Sequence, residues 1–379
     1  GTLRMGTDRK AVVDPSTMKL NGFDGLFVVD SSVMPQATAG DLNTPTLMIA
    51  ERAADLIKGE VLSEDILAPI MGDFNWRERQ RSSEIGHDFS SNRKDLKKLF
   101  SDTTQLSDKK QTMKLMVSKD HQGHSGAKEM RYDQMIPISE SPDRVDIILG
   151  ALNESGFFDI QKPVVFGLDE VLRIHDPDFV KFLKDCYKLW ERQFGPNGFA
   201  TAYTFGMRGM DQKPNSSVHS MLSCYTFDVC VPFVDGTWKA INSSKDVALT
   251  GAKLIIDGER SIFSLCRPPG HHASKDLAGG YCYLNNAAIA AQYYIDQGAN
   301  KVAILDIDYH HGNGSQNIFY ERADVLFTSL HCRPEDEYPF LSGYQNETGF
   351  GAGENFNFNF PMPLGTTYAV WEQSLGCAI

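Results

Sequence analysis

The chain has 379 residues, 41% of them hydrophobic and 23% charged, with a formal net charge of −12. Its length exceeds one ordinary core, so two structural units are expected, and no apolar run is long enough to span a bilayer. The acidic balance argues against a surface that grips phosphate backbones, so no nucleic-acid partner is expected, whereas a cationic small molecule suits it.

Residues 1–60 are punctuated by glycine and proline and close in a predicted helix over 47–58, opened by Thr44-Pro45-Thr46 and stopped at Gly59. Residues 61–112 turn polar, through Arg77-Glu78-Arg79 and Asn92-Arg93-Lys94 among others. Such text buries too little apolar surface to offset ordering entropy, so a disordered linker is expected. From Met113 to Ile379 the pattern becomes alternating strand and helix. A strand is predicted over 113–117. Ser141-Pro142-Asp143-Arg144 opens a helix with a capping residue, a first-turn proline and an early acid. A second amphipathic helix covers 176–192, and short apolar runs at 261–265, 301–305 and 325–330 read as buried parallel strands. A helix over 285–297 lies between the first two of these. The repetition predicts an α/β domain with a central parallel sheet, whose chemistry gathers at the carboxyl ends of the strands. The seven cysteines form no C-x-x-C pair and sit mostly in apolar segments, as reduced core thiols do. No N-terminal stretch has the order of a secretory signal, so the expected compartment is the cytoplasm.

Two predicted strand ends carry unusual residues. One runs into Cys266-Arg267-Pro268-Pro269-Gly270-His271-His272, the other into Asp306-Ile307-Asp308-Tyr309-His310-His311-Gly312-Asn313. In an extended segment residues two apart share a side, so Asp308 and His310 are expected to project together. A carboxylate and an imidazole suit zinc, and Asp306 on the same side is the candidate to orient an imidazole. His271 and His272 are candidate general bases near their ordinary pKa. Zinc, water and base together can hydrolyse an amide. His121, His124, His175 and His331 are read as packing or surface residues, since none has a chemical partner nearby in sequence.

The segments 267–273, Gly279-Gly280-Tyr281-Cys282-Tyr283-Leu284-Asn285-Asn286 and 305–316 resemble the core motifs of acetylpolyamine amidohydrolases and histone deacetylases. The resemblance extends from Met113 nearly to Ile379. It implies a three-layer arginase/deacetylase-like domain with a central parallel sheet. It also implies Asp308 and His310 as zinc ligands, His272 as general base and acid, and His271 as its electrostatic partner backed by Asp306. Asn313 falls beside the second histidine, where many histone deacetylases have Asp. Backbone near Asp306, Asp308 and Ser329-Leu330 would hold a structural K⁺. Tyr281, with Gly280, would line a tunnel for the acyl chain, while Glu129 and Asp228 fall where acids near the mouth would attract the ammonium groups of an acetylated polyamine. A homodimer that narrows the tunnel is a further implication, and ferrous iron stays open as the alternative to Zn²⁺. The family pattern continues past Ile379 with a third zinc-binding Asp and a carbonyl-polarising Tyr. The domain is therefore expected to be incomplete at its C-terminus and impaired in turnover.

Gly1-Thr2-Leu3-Arg4-Met5-Gly6, Val28-Val29-Asp30-Ser31-Ser32-Val33-Met34-Pro35 and the stretch 40–58 are similar to the C-terminal end of glucose–methanol–choline (GMC) oxidoreductases. That similarity implies a vestigial FAD region around Asp30 and Asn43. With no Gly-x-Gly-x-x-Gly fingerprint, FAD binding is not expected of this fragment. Two other readings stand beside the hydrolase: an FAD-dependent oxidoreductase resting on residues 1–60, and a non-catalytic binding module.

Overall fold

Strand β1 (Met113–Met116) runs parallel to two neighbours and buries Leu115 and Met116 completely. It opens the part of the chain described by this computed structural model, residues 112–379 except 132–133, 156–157, 197, 208–210 and 212. The readings for residues 1–111, with Asp30, Asn43 and the linker, lie outside the described residues.

In chain order, β1 is followed by an antiparallel hairpin of β2 (Lys128–Arg131) and β3 (Gln134–Pro137). Helix α1 (Asp143–Ser155) leads to β4 (Phe158–Gln161), and a single turn, α2 (Asp169–Leu172), leads to α3 (Pro177–Phe194). Then come α4 (Val218–Tyr225), α5 (Thr237–Ile256), β5 (Ile262–Ser264), α6 (Asn286–Asp296) and β6 (Val302–Asp306). Helix α7 (Asn313–Phe319), β7 (Val325–Cys332), β8 (Asn357–Met362) and α8 (Tyr368–Ala378) complete the described chain. None of these helices is long and apolar enough to cross a membrane.

Local chemistry explains the main helices. Asp176 caps α3 by accepting from the amides of Asp178 (2.8 Å) and Phe179 (3.4 Å), Pro177 occupies the first turn, and Gly195 ends the helix at φ 83°. Its residues Phe179, Val180, Phe182, Leu183 and Cys186 recur on one face and enter a core shared with Leu222, Phe233 and Tyr283. Asn285 caps α6 through the Ala288 amide (3.0 Å) while its own amide group donates to the Ala273 carbonyl and the Ser315 hydroxyl, both at 3.0 Å.

The architecture is α/β with parallel strands, as the sequence pattern predicts. One detail differs: the strands form two parallel ladders, β4-β1-β5 and β6-β7-β8. Strand β5 is only three residues long, and neither β5 nor the outer edge of β6 has a second partner among the described strands. A cavity of about 740 Å³ lies between them, with Ile262 and Ser264 on one side and Asp306 and Asp308 on the other. The small residues Ala248, Gly251, Ala252, Ala287 and Ala290 of α5 and its neighbour α6 floor it. Central strands of a parallel sheet are apolar because they expect cover on both faces; Leu305 and Ile307, by contrast, stand exposed.

Two buried polar groups tie the loops around the carboxyl end of β5. Arg267 donates to Glu140 Oε1 (2.8 Å) and to the carbonyls of His121 (2.6 Å), His124 (2.8 Å) and Glu140 (3.1 Å). His175 Nε2 accepts from the Asn285 amide (2.9 Å), which leaves Nδ1 as the donor to the Lys275 carbonyl (3.3 Å). That arrangement requires a neutral ring. Burial holds its pKa at about 4, against the weaker upward pull of the backbone around Ser274 and Lys275. The unfolded chain therefore binds a proton near pH 6.5 that the native state refuses. His175 should cost about 2 kcal/mol of stability between pH 7 and pH 5. Urea unfolding at the two pH values, in wild type and His175→Gln, checks this: the variant should show a shallower acid loss by that amount.

Candidate active site

The site forms where the two loops following β5 and β6 meet. Strand β6 ends at Asp306, and the chain then turns through residues 307–312 into α7. Asp306 Oδ1 accepts from the Asp308 amide (3.1 Å), and Asp308 Oδ1 accepts from the His310 amide (2.8 Å). Asp308 and His310 thus share a side, as expected, but for a different reason. Two successive carboxylate-to-amide turns fix them, rather than strand alternation. Asp308 Oδ1 lies 3.3 Å from His310 Nδ1.

The β5 loop supplies the histidine pair. The Ala273 amide donates to the Gly270 carbonyl (3.0 Å), folding His271 and His272 back so that their rings lie 4.0 Å apart between centroids, tilted by 46°. His271 Nδ1 meets Asp306 Oδ2 at 2.9 Å, and its Nε2 lies 3.9 Å from Asp308 Oδ1. His272 Nδ1 donates to the side-chain oxygen of Asn313 (2.7 Å), so its Nε2 keeps the lone pair. The His272 ring stands 6.1 Å from that of His310. Gly314 permits this closeness: a Cβ there would collide with the carbonyl of Ala273, and the Ser315 amide donates to the His271 carbonyl at 3.0 Å.

Electrostatics separate the two histidines. Burial opposes a charge on His271, but the Asp306 carboxylate, aided by Asp308, outweighs it and raises the pKa to about 9. Burial and the neighbouring His271 charge push His272 well below its ordinary value, against the hydrogen bond to Asn313. One imidazolium beside one neutral imidazole is an arrangement suited to acid–base work. Burial also works against the Asp308 charge, yet the hydrogen bond from His310 and the His271 charge hold its carboxyl below the usual range.

Asp308 and His310 are partly open to the cleft, their side chains 51% and 38% exposed. Two donors on a tetrahedral ion with bonds of about 2.0–2.1 Å stand about 3.3 Å apart, so the observed O···N separation fits a metal edge. The fit extends to these two donors; no group of three His, Cys, Asp or Glu suited to a metal occurs among the described residues.

Gly280 and Tyr281 form the neighbouring wall, both at positive φ (51° and 65°). At Gly280 a Cβ would collide with the His272 ring and lie 2.8 Å from the Tyr338 hydroxyl. The two expected entrance acids lie against this wall and accept hydrogen bonds from it. Glu129 is buried and accepts from the Tyr281 hydroxyl (2.5 Å) and the Ser139 hydroxyl (3.2 Å). Asp228 accepts from the amides of Cys230 and Gly280 (2.8 Å each) and from the Tyr338 hydroxyl (2.5 Å). Each of the two carboxylates thus accepts from the hydroxyl of a tyrosine in a distant segment. Tyr338 itself went unnoticed in the sequence, where nothing near it signals a role.

Three further histidines, His331, His124 and His311, are buried and hydrogen-bonded. His331 engages the Ser329 hydroxyl (2.8 Å) and the Gly343 carbonyl (2.9 Å), and His124 meets the Thr237 hydroxyl (3.0 Å). His311, beside the candidate ligand, is also buried, between Ser342 (3.2 Å) and Gln316 (3.1 Å).

Two stretches of the chain are similar to known families. The histone deacetylase domain matches residues 138–378, and the GMC oxidoreductase family matches residues 1–50. Acetylpolyamine amidohydrolase 2 of Pseudomonas aeruginosa is 45% identical over 267 residues, 70% of this chain and 77% of that protein. Acetylpolyamine amidohydrolase of Mycoplana ramosa is 43% identical over 263 residues, 69% and 77% of the two chains. The crystal structure of an acetylpolyamine aminohydrolase from Burkholderia pseudomallei superposes with a TM-score of 0.65 at 34% identity, covering 70% of this chain and 77% of the other.

The packing of the wall yields a direct expectation. Gly280→Ala combines a positive φ with a collision against the His272 ring, and should lower the unfolding free energy by about 1–3 kcal/mol. Urea denaturation measures this, and an unchanged midpoint would show that the wall and the base are not in contact.

Proposed function

The chain belongs to the histone deacetylase family, and from that membership we propose that it is a zinc-dependent amidohydrolase that releases acetate from acetylated polyamines. It is a hydrolase of acetylated amides by family. The polyamine preference rests on the relatives' names and on the net charge of −12, which favours a cationic amine. The observation that carries the reading is the neutral His272, its Nδ1 fixed on Asn313 and its ring 6.1 Å from that of His310, beside the charged His271–Asp306 pair.

In this reading Asp308 and His310 hold the metal. When bound, a divalent ion there supplies Lewis acidity for the attacking water and the amide carbonyl. His272 Nε2 takes the proton from that water and returns it to the departing nitrogen. Asn313 keeps His272 in the tautomer that leaves Nε2 open. The His271 charge, held by Asp306, favours the negative charge that develops on the carbonyl oxygen. Tyr281, held by Glu129, flanks the acyl chain. The β6–β7 register sets Ser329 opposite Asp306, which supports K⁺ binding by the nearby backbone. One carboxylate and one imidazole also accommodate ferrous iron.

The test is acetate release from N-acetylputrescine by the full chain supplied with Zn²⁺. His272→Ala should lower kcat by about 10²–10⁴-fold. Release that survives both chelation and His272→Ala contradicts the proposal, as does a complete absence of release in wild type with metal in excess.

A further inference from the structure

Three donors from three separate segments converge on one partly buried carboxylate. Asp228 Oδ1 takes the amide of Cys230, from its own turn. Its Oδ2 takes both the Gly280 amide, from the wall beside His272, and the Tyr338 hydroxyl, from the long β7–β8 connection. Tyr338 lies 110 residues from Asp228, and this contact ties that connection to the wall. Burial raises the Asp228 pKa, and these same three donors oppose it, as expected of a carboxylate committed to neighbours rather than to solvent.

The consequence lies at the other end of the tyrosine. With its hydroxyl held, the Tyr338 ring stands edge-on to His272, 4.8 Å between centroids at 86°, and edge-on to His310, 5.9 Å at 84°. It also lies nearly parallel to the Phe227 ring, at 6.4 Å and 22°. The ring therefore fills the space next to both the base and the candidate ligand. The phenol is anchored on Asp228, while the Tyr338 amide bonds within its own connection, to Glu337 Oε1 (3.1 Å). Gly280, unable to carry a Cβ without approaching this hydroxyl, forms the facing wall.

We propose that Asp228 is a positioning residue: by clamping the Tyr338 phenol and the Gly280 amide together, it sets the width of the cleft over His272 and so the fit of an unbranched acylated amine. It acts through Tyr338 and does not itself bind the distal ammonium. The ligand named here, and the fit read through it, rest on the amidohydrolase reading; the contacts of Asp228 with Tyr338 and Gly280 do not.

Calorimetric titration of N-acetylputrescine into the full chain with Zn²⁺ tests it, in wild type, Asp228→Asn, Tyr338→Phe and the double variant, with urea midpoints measured alongside. Asn presents an N–H₂ where a donor now points, and Phe keeps the ring but removes the anchor. Each single variant should weaken Kd by about tenfold, and the double variant by no more than either alone, because both break one clamp. Singles that bind within twofold of wild type while their urea midpoints fall would reduce Asp228 to a structural residue and overturn the proposal. Additive losses would overturn it as well, by showing that Asp228 meets the ligand on its own. A wild type that binds but releases no acetate refutes hydrolysis alone and leaves the clamp to be judged on the Kd ratios. A wild type that binds no acetylated amine overturns both.

Discussion

The hydrogen bond between Asp306 Oδ2 and His271 Nδ1, 2.9 Å long, is the interaction on which the rest of the site depends. It joins the carboxyl end of β6 to the loop after β5, so it is both a tertiary tie and an electrostatic setting. A buried imidazole would ordinarily shed its proton. Here the carboxylate keeps it, and the resulting charge, 4.0 Å away ring to ring, helps keep His272 neutral. Asp306 also starts the pair of turns that brings Asp308 and His310 together. One side chain thus sets charge, protonation and donor geometry at once.

The placement of this cluster follows from the sheet. Parallel strands end on the same side, and the loops that leave them carry the polar residues the buried strands cannot. Strands β5 and β6 belong to different ladders, and the cavity between their edges reaches His271, Asp306 and Asp308. The histidine pair is held on its inner side by α7, whose Asn313 and Gly314 face the ring and backbone of the loop. The candidate ligands lie on the outer side, half-open to the cleft. A rigid base beside accessible donors suits a centre where water and substrate must exchange.

Local pattern made much of this readable in advance. The apolar run into Asp306 gave β6, the spacing of Asp308 and His310 gave a shared side, and Ser141-Pro142-Asp143 and Asp176-Pro177 marked helix starts within a residue or two. The twin histidines beside two aspartates pointed to one cluster because few other roles need those groups so near each other. What the sequence left hidden has a common cause, which is partnership across long sequence separations. Glu129 finds its tyrosine 152 residues away and Asp228 its tyrosine 110 residues away, so the sequence shows each acid but not the contact it makes. Tyr338 was invisible for the same reason. Likewise, an apolar strand announces that it expects neighbours, but it does not say which, and the single sheet expected is observed as two ladders.

The central claim is that Asp308 and His310 jointly hold a divalent ion under the histidine pair. Zinc titration of the full chain, followed by calorimetry, addresses it most directly, in wild type, Asp308→Ala and His310→Ala. The account predicts a single bound equivalent in wild type and an affinity lower by at least about tenfold in each variant, since even residues that merely support metal ligands cost that much. Equal zinc affinity in all three proteins would contradict it.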